Sequence, residues 1–130
     1  MAMASRTARR VAGVHAGYCL LTGPSSLISR RAFAAMTGPK REWWLVHTVG
    51  LLVTSLGAGL AIAAGRDRVT PELGVMAAGS AASLAAIDVV YVTRGRIRAI
   101  YLADAAVEAL LVAGWAAAAS GARTSSSPSG

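Results

Sequence analysis

Long apolar stretches without charge dominate this chain and decide which folds it can adopt. The clearest stretch runs from Trp43 to Ala64, 22 residues in which His47 is the only ionisable side chain. As a helix with a rise of 1.5 Å per residue, it would be about 33 Å long, which exceeds the roughly 30 Å thickness of a hydrocarbon core. Only 15% of all residues are charged, whereas soluble domains usually contain about 25%. We therefore expect an integral membrane protein.

Three further apolar segments share this pattern, and short polar connections separate them. They predict an all-α fold, an integral membrane four-helix bundle with up-down antiparallel topology and short loops. The four predicted transmembrane helices form one domain, residues 11–119, and cover about 11–29, 43–64, 71–93 and 98–119. A basic N-terminus, residues 1–10, precedes this domain. The Ser-, Gly- and Pro-containing tail, residues 120–130, is predicted to be disordered.

Local signals refine the ends of these helices. The first segment is the weakest, because it contains His15 and the pair Gly23-Pro24, where a bend or a short unwound stretch is expected. Thr70 and Pro71 are typical of a helix start, with a capping hydroxyl followed by proline at the first position. Trp115 is interpreted as an anchor at the membrane interface opposite the first and third connections.

Ionisable side chains inside the apolar segments lie at similar depths. His47, Asp88 and Asp104 are each six residues from the nearest basic connection. Six helical residues span roughly 9 Å, so the three groups are predicted to lie between the headgroups and the midplane. The first and third connections emerge on the same side of an up-down bundle, so the three groups are also predicted to lie at the same end.

Spacing along the third and fourth segments adds three more residues to this predicted cluster. Tyr91 follows Asp88 by three positions and Tyr101 precedes Asp104 by three, so each pair shares a helix face. Glu108 lies four positions beyond Asp104 and continues its face one turn deeper. The predicted polar intramembrane cluster therefore includes two tyrosines and a third carboxyl group besides the histidine and the aspartates.

A charged side chain within a bilayer costs about 2.5–3.5 kcal/mol on insertion scales, so these groups should face inward and be compensated. One interpretation is structural, in which arginines pair with the aspartates and lock the hairpin of the third and fourth helices. Another is a polar cavity that binds a proton, an ion or a small polar ligand, and a third is a metal ion. The candidate charge partners are Arg41, Arg94, Arg96 and Arg98. No tight metal-ligand spacing is present, so no metal site is assigned and no cofactor is predicted.

The net charge of +7 comes almost entirely from arginine. These residues lie between apolar runs, as headgroup anchors do, and form no separate basic face for nucleic acid. The predicted partners are the lipid bilayer and either a second copy or another membrane protein. The first and third connections hold seven basic residues and the remaining polar segments six, which places the first and third connections in the cytoplasm.

Two strings in the sequence, TGPKREWWLVHTVG from Thr37 and AAIDVVYVTRGRIRAIYLADAAVEALLVAGW from Ala85, resemble a family of small, uncharacterised four-helix bacterial integral membrane proteins. The resemblance implies four membrane segments and supplies no catalytic residue. The richness in alanine and arginine is typical of a high-GC bacterium, so a multi-pass protein of the bacterial inner membrane is expected.

Three functions stay open at this point. The first is a structural or accessory membrane protein, which short loops and the absence of any catalytic motif favour. The second is a small proton- or ion-coupled transporter that uses the carboxyl groups of Asp88, Asp104 and Glu108. The third is a membrane enzyme that acts on a lipophilic substrate, with His47 and a carboxylate as an acid–base pair. No catalytic residue is assigned, because the pattern supports a polar cluster and no reaction.

Overall fold

A computed structural model describes residues 6–28, 34, 42–95 and 99–126 of the chain. Within these ranges the regular structure consists of helices, so the predicted all-α class is confirmed. Four long helices follow one another along the chain, namely α1 (Arg6–Ile28), α2 (Trp43–Gly65), α3 (Pro71–Thr93) and α4 (Ile100–Ser126).

Three of these helices are long and apolar enough to cross a membrane. They are α2, α3 and the Ile100–Gly121 part of α4. The chain is therefore a multi-pass membrane protein. α1 has a comparable length of 23 residues but is less apolar, because His15, Tyr18 and the polar stretch around Pro24 interrupt its hydrophobic residues.

Antiparallel packing arranges the helices as two joined hairpins. α1 packs along α2, α3 packs along α4, and a smaller contact between α1 and α4 connects the two pairs. Val11 of α1 lies beside Gly114 of α4, while Tyr18 further along α1 contacts Asp104 earlier in α4. This opposite progression shows that α1 and α4 are antiparallel. Both helices are central, and contacts from each contribute to the site described below.

Glycines allow α1 and α2 to approach closely. A Cβ atom on Gly23 would lie 2.8 Å from the backbone nitrogen of Thr54 and 2.9 Å from the carbonyl oxygen of Gly50. A Cβ atom on Gly57 would lie 2.8 Å from the Cβ atom of Cys19. Side chains at these positions would separate the two helices, so glycine is required for this contact. Small residues play this role at many helix contacts in membranes.

A bend or a short unwound stretch was expected around Pro24, and the unwound stretch is absent because α1 remains helical to Ile28. Here the chain is supported by its neighbour α2 and by hydroxyl groups that bond to nearby carbonyl oxygens. The Ser26 hydroxyl, for example, donates to the Gly23 carbonyl oxygen over 2.9 Å. Packing against another helix is one of the ways in which membrane helices tolerate proline.

Helix ends agree with the sequence analysis in α3 and differ in α4. The Thr70 hydroxyl accepts a hydrogen bond from the backbone nitrogen of Leu73 at 3.2 Å, with Pro71 next in the chain, which confirms the predicted helix start. α4 continues to Ser126, so residues 120–126 are helical rather than disordered. Alanine has the highest helix propensity, and the run Ala116 to Ala119 sustains the helix beyond its predicted end. Residues 127–130 of the predicted tail lie outside the described ranges.

A hydrophobic core occupies the end of the bundle where α1 and α3 begin and α2 and α4 end. Its fully buried members include Leu60, Val69 and Trp115. Only 2% of Trp115 is exposed, so its interpretation as an interfacial anchor is wrong. Its indole nitrogen donates to Nδ1 of His15 over 3.1 Å, and this buried hydrogen bond connects α4 to α1. Tryptophan is commonly hydrogen-bonded when buried, because its N–H would otherwise lose a partner.

Candidate functional site

Carboxyl groups gather at the opposite end of the bundle from the hydrophobic core. Asp88 comes from the last turns of α3, and Asp104 and Glu108 come from successive turns near the start of α4. We refer to these three residues as the carboxyl cluster. Tyr18 reaches the cluster from α1, so three of the four helices contribute to it.

Short-range contacts connect the members of the carboxyl cluster. The Tyr18 hydroxyl donates a hydrogen bond to Oδ1 of Asp104. Asp88 and Asp104 lie within side-chain hydrogen-bond reach of each other, and Glu108 is close enough to interact electrostatically with both. Two carboxyl groups can form a hydrogen bond only if one of them carries a proton. A hydrogen bond between Asp88 and Asp104 would therefore require a proton on one of them.

Burial makes it energetically costly for the acids of this site to be ionised. Only 5% of Asp88 and 3% of Glu108 is exposed. One oxygen of each, Oδ2 of Asp88 and Oε2 of Glu108, is buried without a hydrogen-bond partner among the described residues. An ionised oxygen in this position would lose its hydration without compensation, which is energetically costly. Each of these oxygens can instead carry a proton.

Of the four predicted arginine partners, only Arg94 lies in the part of the chain that the structure describes. Arg94 is exposed at the end of α3, and neither Asp88 nor Glu108 has an arginine among the groups that act on it. Arg41, Arg96 and Arg98 lie outside the described residues. Locking of the α3–α4 hairpin through Arg94 is therefore not observed.

The other predicted cluster residues occupy different surroundings. His47 is half-buried on α2, and its ring centroid lies 6.0 Å from that of Trp43, one turn earlier on the same helix. Tyr91 is 39% exposed on α3, and Tyr101 is half-buried in the first turn of α4. The structure thus brings together the three acids, while His47 lies on a helix that contributes no residue to the carboxyl cluster.

Tyr18 contacts the carboxyl cluster, and the sequence analysis did not predict this contact. It lies in the first apolar segment, directly before Cys19. One signal was present, since Tyr18 is the only tyrosine in the first segment. Buried tyrosine hydroxyls need hydrogen-bond partners, so a tyrosine in a membrane helix indicates a polar neighbour on another helix.

Metal binding receives no support from the side chains that the structure places. Among the described residues, no three His, Cys, Asp or Glu side chains are grouped as metal ligands. The buried thiol of Cys19 is free, and it lies near the carboxyl groups of Asp104 and Glu108. Carboxyl groups can bind protons and form hydrogen bonds.

An open groove of about 300 Å³ lies between α1 and α4 on the outside of the bundle. Apolar side chains line it, and the guanidinium-bearing residue Arg10 is at one end. The groove is lined by Arg10, Val11, Val14, Val107, Leu110 and Gly114, among others. No residue of the carboxyl cluster belongs to this lining.

Comparisons with protein-family models, curated proteins and solved structures give no match to this chain. The resemblance noted in the sequence therefore identifies no family. The helices and the site define the class directly, as a four-helix multi-pass membrane protein with three candidate spans and a buried cluster of acids.

Proposed function

We propose that this protein binds and releases a proton at the carboxyl cluster, as a small proton-coupled membrane protein does. The proposal rests on two buried oxygens, one on Asp88 and one on Glu108, that have no hydrogen-bond partner among the described residues. Ionisable groups inside membrane bundles commonly belong to proton relays, because their burial is otherwise unfavourable.

The contacts assign different roles to the three acids. Asp104 accepts the hydrogen bond from Tyr18, and such a bond stabilises an ionised carboxylate. Asp88 interacts with the same carboxylate at close range, and we assign one proton to this pair. Glu108 lies one turn deeper than Asp104 and is the most buried of the three. We assign a second proton to it. Like charges at this separation cannot all ionise, so the cluster retains at least one proton.

The proposed topology has four spans, with α1 crossing the bilayer beside α2. Its 23 residues would extend about 35 Å, and it packs along α2 through Gly23, Gly50 and Gly57. In a bacterial cell membrane, we place the first and third connections in the cytoplasm and both termini outside. A C-terminal reporter that is active only in the cytoplasm should then be silent.

Infrared spectroscopy of the purified protein in lipid tests the proton site. A protonated buried carboxyl group gives a carbonyl band that ionised carboxylates lack. We expect this band at neutral pH in the natural protein, with part of its intensity lost in Asp88→Asn and part in Glu108→Gln. Glu72→Gln is the matched control, because Glu72 is fully exposed at the start of α3. Absence of the band, or equal bands in all four proteins, would contradict the proposal.

A structural or accessory role is the second candidate, and a specific observation favours it. The contacts of Asp104 with Tyr18 and Asp88 connect α1, α4 and α3 in one network, and polar groups often hold membrane helices together. In that case Asp88→Asn should lower stability, and the carboxyl band of the natural protein should not change with pH. The enzyme hypothesis is not carried forward, because it requires His47 beside a carboxylate and the described residues show no such contact.

A further inference from the structure

The groove between α1 and α4 needs an apolar occupant when the bundle is in a membrane. Val11 and Val14 form one wall, and Val107 and Leu110 form part of the other. Gly114 lacks a side chain, and a Cβ atom there would lie only 3.1 Å from a methyl group of Val11. From Gly114 to Val107 the groove extends for about two helical turns, or roughly 10 Å along the bilayer normal.

The positively charged side chain of Arg10 lies at the end of the groove that is nearest the membrane surface. Arg10 lines the groove and is exposed, in the second turn of α1. Its neighbour Arg9 faces the other way, where its Nε donates to the carbonyl oxygen of Ala64 over 2.9 Å at the end of α2. The start of α1 adds the partial positive charge of a helix N-terminus. An apolar groove below a guanidinium that has no partner among the described residues complements an anionic amphiphile.

We propose that this groove binds one acyl chain of an anionic phospholipid, whose phosphate group pairs with the Arg10 guanidinium. Basic pockets between transmembrane helices bind anionic headgroups at the cytoplasmic or matrix face, and we propose the same chemistry at the outer face, where the topology proposed above puts Arg10. Arginine suits the phosphate because its planar N–H groups can donate two parallel hydrogen bonds to it. The site is independent of the carboxyl cluster, none of whose residues lines the groove.

Charge and shape both favour a lipid over a second copy of the chain. A symmetric dimer in a membrane, with its axis along the bilayer normal, places equivalent residues at equal depth. Two Arg10 guanidinium groups would then face each other across the contact and repel. A helix with its side chains is about 10–12 Å in diameter. Over the roughly 10 Å length of the groove, it would occupy more than the groove volume of about 300 Å³.

Lipid-dependent thermal stability of the full chain in detergent tests the site. Phosphatidylglycerol and phosphatidylcholine with identical acyl chains are titrated against the natural protein, Arg10→Gln and Arg6→Gln. Arg6 is the control, because it is an exposed arginine on the same helix that does not line the groove. We expect Arg10→Gln to raise the half-saturating phosphatidylglycerol concentration about five-fold, since one basic residue near the surface contributes about 1 kcal/mol. Arg6→Gln should leave it unchanged.

Two further measurements separate the sources of any effect. Val14→Trp fills the groove from a side chain that is 66% exposed, so it should weaken the binding of the acyl chain without disturbing the core. Inorganic phosphate alone should not stabilise the protein. Equal effects of the two arginine variants, equal stabilisation by both lipids, or stabilisation by phosphate alone would each overturn the proposal. Disulfide crosslinking between copies of a Leu110→Cys variant in membranes would also overturn it, in favour of a dimer contact.

Discussion

Replacing Tyr18 by phenylalanine removes a single hydroxyl group from the contact between α1 and α4. In the natural protein this hydroxyl donates to Oδ1 of Asp104, next to Asp88 and Glu108. The ring stays in place in the variant, so packing changes little and the hydrogen bond is lost. Asp104 then has one hydrogen-bond donor fewer. The neighbouring acids, Asp88 and Glu108, carry no positive charge that could replace it. We expect Tyr18→Phe to destabilise the folded protein.

The size of this effect follows from the kind of hydrogen bond. Interhelical hydrogen bonds in membranes contribute about 0.6 kcal/mol on average and up to about 1.7 kcal/mol. Bonds that involve an ionised group are roughly twice as strong as neutral ones. Tyr18→Phe should therefore lower the free energy of unfolding by about 1–2 kcal/mol, a change of roughly five- to thirtyfold in the unfolding equilibrium constant.

Reversible unfolding in mixed micelles, titrated with a denaturing detergent, measures this difference. Tyr91→Phe is the matched control, because Tyr91 is 39% exposed on α3 and donates no hydrogen bond to the carboxyl cluster among the described residues. The control should change stability by a few tenths of a kcal/mol at most. Equal stabilities of Tyr18→Phe and Tyr91→Phe would refute the assignment of Tyr18 to the cluster.

Three more substitutions test the packing of the helices. Gly57→Ala should lower the unfolding free energy by about 1–3 kcal/mol through overpacking, whereas Gly59→Ala should be neutral or slightly stabilising, because no atom lies within 4 Å of a Cβ atom there. Trp115→Phe should lower it by at least about 1 kcal/mol, since His15 loses its buried donor; unchanged unfolding in the same assay would show that this bond is dispensable. Thr70→Ala should lower it by about 0.5–2 kcal/mol, with faster amide exchange confined to the first turn of α3 as the diagnostic sign.

Sequence patterns predicted the helices well because each pattern is local. The apolar run that begins at Trp43 matches α2, which ends at Gly65. Thr70 and Pro71 marked the start of α3 within one residue, since a capping hydroxyl and a proline act on their own turn. The predicted end of α4 was too early, because serine and glycine suggested a tail while the alanines before Ser120 favour a helix.

The candidate site was predictable only in part. Counting residues from the basic connections placed Asp88 and Asp104 at one depth, and helical spacing added Glu108. The same counting included His47, because depth alone does not tell which helices are neighbours. Which residues meet across helices is decided by tertiary packing, so neither the Tyr18–Asp104 bond nor the His15–Trp115 pair could be read from spacing.

The close contact between α1 and α2 has a consequence for biosynthesis. α1 leaves the ribosome before α2, yet it is the least apolar of the four helices and gains less from entering lipid alone. The backbones of Gly23 and Gly50 meet only after α2 has also been made. In the four-span topology proposed above, stable integration of the first helix would therefore depend on the synthesis of the second. The two would enter the membrane as a hairpin rather than one after the other.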